Sequence, residues 1–404
     1  MKKRRAPILS LLALALLFCV ASGLVMRGYW REQASRELIL AIKANDTGRA
    51  LDALRAGADP NVREQNDATP SLFSYLSKLW LQVLGINPPS SSVGQKALTL
   101  AVTHNNTVIV EALLDQGAKD IGETIEIPET AKRPTPLSLS LLMVAAENKN
   151  PAIVRELVKH GWKVDSVNEN EETALFYAAD AATVKTLVTY RANIDAKDIW
   201  GSTVLDHAMK DQPDDVVDAL LDLGALGART LTYAVRLHRT EPLNRMFDLG
   251  WKSDIPDEEG STPLMVALNS GGSVYPDEAW RFLKRRANVN FRDNQGNTPL
   301  ILAADGGIGP QMIPQSPGIV QALLDRGAQV NVQNKEGHTP LMAACYELRP
   351  TIVRILLQHG ARVNLRTREG KTALSMARHC DYRDSDDGSQ SEVITMLKKA
   401  GAKE

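Results

Sequence analysis

The sequence of 404 residues has little of what chemical sites are built from. It contains three cysteines and seven scattered histidines, and only 5% of its residues are aromatic. No histidine pair stands at a metal-ligand spacing with a third ligand nearby. No Walker-type loop, dinucleotide fingerprint or nucleophile elbow occurs in a strand–helix context. We therefore predict no catalytic residues, no metal site and no cofactor.

An excess of charge of one sign is also missing. The chain has 47 basic and 48 acidic residues, which gives a formal net charge of −1. No basic stripe is present, and a mildly acidic surface would be repelled by phosphate backbones. We therefore expect no nucleic-acid partner.

Long apolar runs are absent except at the amino terminus. The basic residues 2–5 precede an uncharged, mostly apolar run from Ala6 to Met26. About 20 apolar residues can span a bilayer as a helix, and a basic start is typical of an export signal. Tyr29 and Trp30 follow, where interfacial aromatic residues are common. The candidate membrane-contacting residues are Leu9, Leu12, Leu16, Phe18, Val20 and Leu24.

Two fates are open for this segment. As an uncleaved signal anchor over residues 1–30, it would hold the rest of the chain on the periplasmic side of a membrane, because positive charge favours a cytoplasmic amino terminus. As a cleaved signal peptide, with small residues at Val20-Ala21-Ser22, it would release the chain into the periplasm. In an oxidising compartment Cys345 and Cys380 could form a disulfide, and the alternative is two buried thiols.

The rest of the chain repeats one pattern, seen most clearly from Gly337 to Asn364. Thr339 and Pro340 suit the cap and the first position of a helix. A second helix carries an apolar stripe, and Gly360 supplies the left-handed residue that ends it. The next Thr of this kind, Thr372, lies 33 residues after Thr339.

This period and the Thr-Pro-Leu opening resemble ankyrin repeats. Ten copies can be recognised between residues 36 and 404, each ending in a Gly-Ala pair or a variant of it. The resemblance implies an all-α solenoid with short β-hairpin fingers, placed behind the N-terminal membrane helix. It also implies a non-enzymatic, monomeric protein whose partner is another protein.

Several copies carry extra residues. We predict insertions at 64–95, 121–134, 305–318 and 380–391. The first contains Leu72, Leu76 and Trp80 at the spacing of one face of an amphipathic helix. Such a helix could cover the exposed end of the repeat stack, or it could dock on a membrane or a partner.

Aromatic residues at unusual repeat positions are the candidate partner-binding residues. Trp162 and Trp251 replace the small residue after a closing Gly, and Trp200 and Phe291 stand in fingers. Exposed aromatic side chains commonly anchor interfaces. The competing interpretation is that such a Trp packs against the next repeat.

Three functions fit these features. The first is an interaction scaffold that binds a protein in the cell envelope. The second is a dedicated inhibitor, of the immunity type, that neutralises a secreted toxin or enzyme. The third is a structural spacer with no specific ligand.

Overall fold

The computed structural model describes residues 5–64, 72–83, 94–120, 124–127, 137–227, 229–268, 276–305, 317–378 and 388–403, and the side chains of residues 5–19 lie outside this description. The chain divides into two compact units, Met1–Trp200 and Gly201–Glu404. In both units the described residues form consecutive pairs of short antiparallel helices, ten pairs in all.

The first unit begins with a long helix whose carboxyl end forms the first pair. Its described elements are α1 (Arg5–Lys43), α2 (Thr47–Arg55), α3 (Leu72–Val83), α4 (Ala97–Thr103), α5 (Thr107–Asp115), β1 (Thr124–Ile127), β2 (Leu137–Ser140), α6 (Leu141–Glu147), α7 (Pro151–Lys159), a 3₁₀ helix (Ala174–Tyr177) and α8 (Ala181–Thr189). The 3₁₀ helix replaces the first helix of the fourth pair, because only six residues lie between Thr173 and the cap residue of α8, Asp180.

The second unit contains six helix pairs. Its described elements are α9 (Val204–Asp211), α10 (Asp214–Asp222), α11 (Thr230–Arg236), α12 (Thr240–Asp248), α13 (Pro263–Leu268), α14 (Pro276–Lys284), α15 (Pro299–Asp305), α16 (Pro317–Asp325), α17 (Pro340–Tyr346), α18 (Pro350–Gln358), α19 (Ala373–Arg378) and α20 (Ser389–Lys399). The first helices of successive pairs contact one another from α9 to α19, so they form one layer of the unit.

Local sequence explains where each helix begins and ends. The Thr339 hydroxyl accepts a hydrogen bond from the Met342 N–H at 3.2 Å, and Pro340 occupies the first helical position. Leu341 and Met342 are each 1% exposed, so the beginning of this short first helix is almost entirely buried. Gly360 has a φ of +83° and ends the second helix, as predicted.

Two copies use arginine in place of that glycine. Arg191 and Arg286 have φ values of 67° and 61°, at the same repeat position as Gly327 and Gly360. A side chain is disfavoured in the left-handed region, where glycine has no steric penalty. These two arginines are therefore held in a conformation that their own backbone does not prefer.

Asparagine side chains join neighbouring copies. Asn331 donates from Nδ2 to the Gly360 carbonyl oxygen at 3.1 Å, and its Oδ1 accepts the Arg362 N–H at 2.7 Å. Asn290 makes the equivalent bonds one repeat earlier, and Asn364 makes them one repeat later. Each asparagine thus sets the register between the end of its own repeat and the end of the next.

The fingers are mostly tight turns. Within the described residues, the one regular hairpin pairs β1 with β2, and Arg63 and Lys96 form an isolated bridge. In the second unit the finger turns are instead hydrogen bonded to one another, for example Lys335 N–H to the Gln295 carbonyl at 2.9 Å. A Cβ added at Gly337 would stand 2.9 Å from the Thr367 Cα, so these turns are closely nested. The sequence predicts hairpin fingers, and among the described residues one finger forms a regular two-stranded hairpin. The other described fingers are too short to form a ladder of strand hydrogen bonds.

The amino-terminal segment is helical, as part of α1. Among the described residues, however, no helix has an apolar stretch long enough to cross a membrane. This finding does not support the predicted transmembrane segment over residues 1–30. The side chains of Leu9, Leu12, Leu16 and Phe18 lie outside the description, and those of Val20 and Leu24 are 55% and 63% exposed.

The predicted helix in the first insertion is present as α3. The Tyr75 ring packs edge-on against the Tyr29 ring of α1, with centroids 5.8 Å apart. Its face with Leu72, Leu76 and Trp80 is exposed. The helix therefore contacts the long first helix through Tyr75, while the side chains of Leu72, Leu76 and Trp80 stay exposed.

The other insertions are described only in part. Residues 121–123, 128–136, 306–316 and 379–387 lie outside the described residues, as does Cys380. The last two of these stretches, together with 269–275, connect the first and second helices of their repeats. Cys345 is buried with a free thiol, and burial raises the pKa of that thiol.

Candidate functional site

The candidate site is a groove on the layer of first helices in the second unit. A cavity of about 770 Å³ opens over α15, α17 and α19. A volume of this size suits a short peptide segment or a few side chains of a partner. Two of these helices, α15 and α17, follow a full Thr-Pro-Leu opening, whereas α19 begins at Thr372-Ala373-Leu374.

The floor of the groove is apolar, and its lining also includes an exposed tyrosine. Ile301, Leu302, Met342 and Met376 line the floor. Tyr346, at the end of α17, is 40% exposed and lines the same cavity. Methionine adapts its shape to different partners, and tyrosine offers an apolar ring with a polar tip.

The walls of the groove carry opposite charges. Asp305 stands at the end of α15, and burial raises the pKa of its carboxyl group, although Arg349 and His338 act in the opposite direction. On the finger side, Lys371 forms an ion pair with Glu369 at 2.9 Å. This pair raises the pKa of Lys371 and lowers the pKa of Glu369. A partner would therefore meet an apolar floor between an acidic and a basic wall.

An amide pair forms part of the rim. Asn334 donates from Nδ2 to the Asn297 Oδ1 at 2.8 Å, and both residues line the cavity. The Asn334 Oδ1 also accepts the His338 N–H at 2.9 Å, while the His338 ring lies 3.3 Å from a Glu336 carboxylate oxygen. These bonds hold the rim in place before any partner arrives.

The groove continues along the layer towards α11 and α13. A smaller cavity of about 230 Å³ shares Asn297 and Leu302 with the first. It is lined by Arg236, which pairs with Asp257 at 3.2 Å. Farther along, the Lys210 Nζ lies 4.5 Å from the centroid of the Tyr233 ring, a cation–π distance.

The four predicted partner-binding aromatics are placed differently from one another. Trp200 is 60% exposed at a finger turn of the first unit, whereas Trp162 is 7% exposed and therefore packs inside its unit. Trp251 and Phe291 are half-buried in the second unit. Trp162 thus follows the packing interpretation, and Trp200 remains the most accessible of the four.

None of these four residues lines the groove, and the groove residues were not predicted individually. Leu302 and Asp305 stand four and seven residues after Thr298, and Ala343 and Tyr346 stand at the same offsets after Thr339. Because one helical turn takes 3.6 residues, these offsets share a helix face. This shared spacing after the capping threonine was the feature of the sequence from which the groove residues could have been predicted.

The lining of the groove offers several kinds of contact to a partner. Across the described ranges, no group of three or more His, Cys, Asp or Glu side chains is placed to hold a metal ion. The buried thiol of Cys345 is disfavoured as a thiolate by its raised pKa. What the groove can supply is apolar contact, hydrogen bonds and two opposite charges.

Comparison with known proteins supports this interpretation. The family model described as ankyrin repeats, in three copies, matches residues 142–230 and 312–403. No curated protein matches the chain. Ankyrin repeats generally mediate protein–protein interaction, and such proteins are typically non-enzymatic scaffolds. The match agrees with the helix pairs, the closing glycines and the Thr-Pro caps, so the chain carries ankyrin repeats over the two matched ranges.

Proposed function

We propose that this protein is an interaction scaffold that holds a segment of a partner protein in the groove of its second unit. The observation that carries the proposal is the cavity over α15, α17 and α19, with the exposed Tyr346 in its lining. An exposed aromatic side chain in a concave, largely preformed site is the usual anchor of an interface.

The composition of the groove favours a binder over a spacer. A spacer needs only a soluble surface, and its concave face would be uniformly polar. Here Met342, Met376 and Leu302 form an apolar floor beside charged walls. Covering the exposed ring of Tyr346 beside them would remove apolar surface from water and stabilise the complex.

Two roles for a binder remain, and they predict different outcomes. A dedicated inhibitor would suppress the activity of its partner once bound. A scaffold would leave that activity unchanged and bring a third component to the complex. Assaying the captured partner with and without this protein distinguishes the two.

Truncating the groove tyrosine tests the binding face. A partner captured from envelope fractions with the intact chain is titrated against Tyr346→Ala by isothermal calorimetry. We expect the affinity to fall at least about tenfold, since a central aromatic anchor contributes on the order of 2 kcal/mol. Circular dichroism should show unchanged folding, because the side chain is partly exposed.

Trp200→Ala and Phe291→Ala are the matched variants for the finger interpretation. If the groove is the binding face, both should bind with nearly normal affinity. Loss of binding in these two variants, with Tyr346→Ala unaffected, would instead identify the finger turns as the binding face and contradict the proposal.

We also propose that the repeats lie outside the cytoplasm, on the periplasmic side of a membrane or free in the periplasm. The support is in the sequence: basic residues 2–5 precede the uncharged run to Met26. Alkaline phosphatase fused to the carboxyl terminus should be active. Activity of a cytoplasmic reporter at the same position, with an inactive phosphatase, would overturn the proposal.

A further inference from the structure

A second concave surface of the second unit lies at the carboxyl ends of α12 and α14. It encloses about 590 Å³ and is lined by Phe247, Trp251, Lys252, Asp254 and residues 284–286 among others. None of these residues lines the groove described above. We call this surface the basic cleft.

Four cations line the basic cleft. Lys252, Lys284, Arg285 and Arg286 are all exposed, and none forms an ion pair with another described residue. The acidic residue in the lining is Asp254, which already accepts the Asn288 N–H at 2.8 Å. The cleft therefore carries an excess of about three positive charges on a chain whose formal net charge is −1.

One of these cations is kept at a conformational cost. Arg286 has a φ of 61° at the position where most copies have glycine, such as Gly250 and Gly327. A non-glycine residue in this region costs roughly 1 kcal/mol or more. Glycine would end α14 without that cost. We infer that the arginine side chain has a role at this position that offsets the conformational cost.

Aromatic rings hold part of the cleft in place. The Arg285 guanidinium lies 4.1 Å from the centroid of the Phe247 ring, within cation–π distance. Phe247 is itself buried and packs edge-on against Phe282. Trp251, half-buried, adds an apolar surface beside the cations. Arg285 is thus oriented before a ligand arrives, which lowers the entropic cost of binding.

Stabilisation of the helix end explains only part of this cluster. Basic residues near a helix carboxyl terminus interact favourably with the helix dipole, which accounts for Lys284 and Arg285. Lys252 belongs to a different repeat, and Arg286 stands past the end of α14 in the left-handed region. The dipole of α14 therefore does not explain why Lys252 and Arg286 line the same cleft as Lys284 and Arg285.

We propose that the basic cleft binds an acidic peptide segment of a partner protein, with carboxylates against the four cations and an apolar side chain against Trp251. The aromatic wall favours a peptide over a nucleic-acid backbone, because it offers one apolar contact in a small cleft rather than a basic track. This site is separate from the groove, so the chain could hold two segments at once.

Fluorescence anisotropy of the full chain tests the proposal. The probe is a short labelled peptide with glutamates on both sides of a central leucine, and the comparison probe has glutamine at every acidic position. We expect the acidic probe to bind and to be released by added salt, while the glutamine probe does not bind. Arg286→Gly should weaken binding about twofold to fivefold, and the double variant Lys284→Gln with Arg286→Gly should weaken it further.

Arg191→Gly is the matched control. It removes an arginine from the same left-handed repeat position in the first unit. There the tryptophan that ends the previous repeat, Trp162, is buried, whereas Trp251 lines the basic cleft. Both glycine variants should fold normally, because glycine suits this backbone region. Arg191→Gly should leave probe binding unchanged.

Three results would overturn the proposal. Equal binding of the glutamine probe would show that carboxylates are not recognised. Equal effects of Arg191→Gly and Arg286→Gly would place the binding elsewhere. Tighter binding of a single-stranded oligonucleotide than of the acidic peptide would identify a different class of ligand. Tyr346→Ala should not change probe binding, which keeps this site distinguishable from the groove.

Discussion

Replacing Asn331 by alanine should lower the free energy of unfolding by about 1 to 2 kcal/mol. The side chain donates to the Gly360 carbonyl and accepts the Arg362 N–H, so the variant loses two hydrogen bonds between neighbouring repeats. Each such bond contributes on the order of 1 kcal/mol net. Water can reach the exposed backbone groups left behind, which keeps the loss at the low end of the range.

The measurement is urea unfolding followed by circular dichroism, with Gln329→Ala as the control. Gln329 is exposed two residues away, and its side chain makes no hydrogen bond with a described residue. We expect the control to change stability by less than about 0.5 kcal/mol. Asn331→Asp should fall between the two, because aspartate can accept the N–H, as Asp254 does from Asn288, but cannot donate.

Hydrogen exchange locates the effect. Because the lost bonds join one repeat to the next, amide protection should fall most in α17 to α20, on the carboxyl-terminal side of the break. If Asn331→Ala destabilises no more than Gln329→Ala, or if protection falls evenly over the second unit, the asparagine links do not couple the repeats.

Three further predictions concern stability. Asp206, 1% exposed, accepts bonds from the Thr203 and Arg229 N–H groups and the Thr230 hydroxyl, so Asp206→Ala should cost about 3 kcal/mol in thermal unfolding. Burial raises the pKa of Asp305, so the native carboxyl group binds a proton more readily than the unfolded one, and this group's contribution to stability falls as pH rises from the ordinary aspartate pKa through the raised one. Asp305→Asn should therefore be the more stable form above the raised pKa, and its advantage should vanish in acid. Four of the six tryptophans lie before Gly201, so fluorescence should report mainly the first unit and give an unfolding midpoint different from that of circular dichroism; coincident midpoints would show one cooperative transition.

Local rules made the helix boundaries predictable. Thr339 and Pro340 start α17, and Gly360 ends α18, because capping and left-handed conformations depend on residues close in sequence. The shortened fourth copy was also visible from its length. Its change to a 3₁₀ helix was not predicted, although the few residues between Thr173 and Asp180 leave no room for a full first helix.

Burial depends on neighbours that a local pattern does not contain. Trp162 and Trp251 stand in nearly identical Gly-Trp-Lys strings, yet one is 7% exposed and the other lines an open cleft. The hydrogen bonds that asparagines make between repeats also depend on residues distant in sequence, because Asn331 and Gly360 are 29 residues apart. The groove residues could have been found from their register, because the family resemblance implies which helix face lines the concave surface.

The nested finger turns restrict where this chain can change in length. A Cβ at Gly337 would already crowd the Thr367 backbone, so an added residue in that turn would displace the copy beside it. The connections between α13 and α14, α15 and α16, and α19 and α20 instead differ in length from one copy to another. These connections between the two helices of a repeat are therefore the places where an epitope tag, a protease site or a fluorescent label can be introduced while the spacing of the copies is preserved.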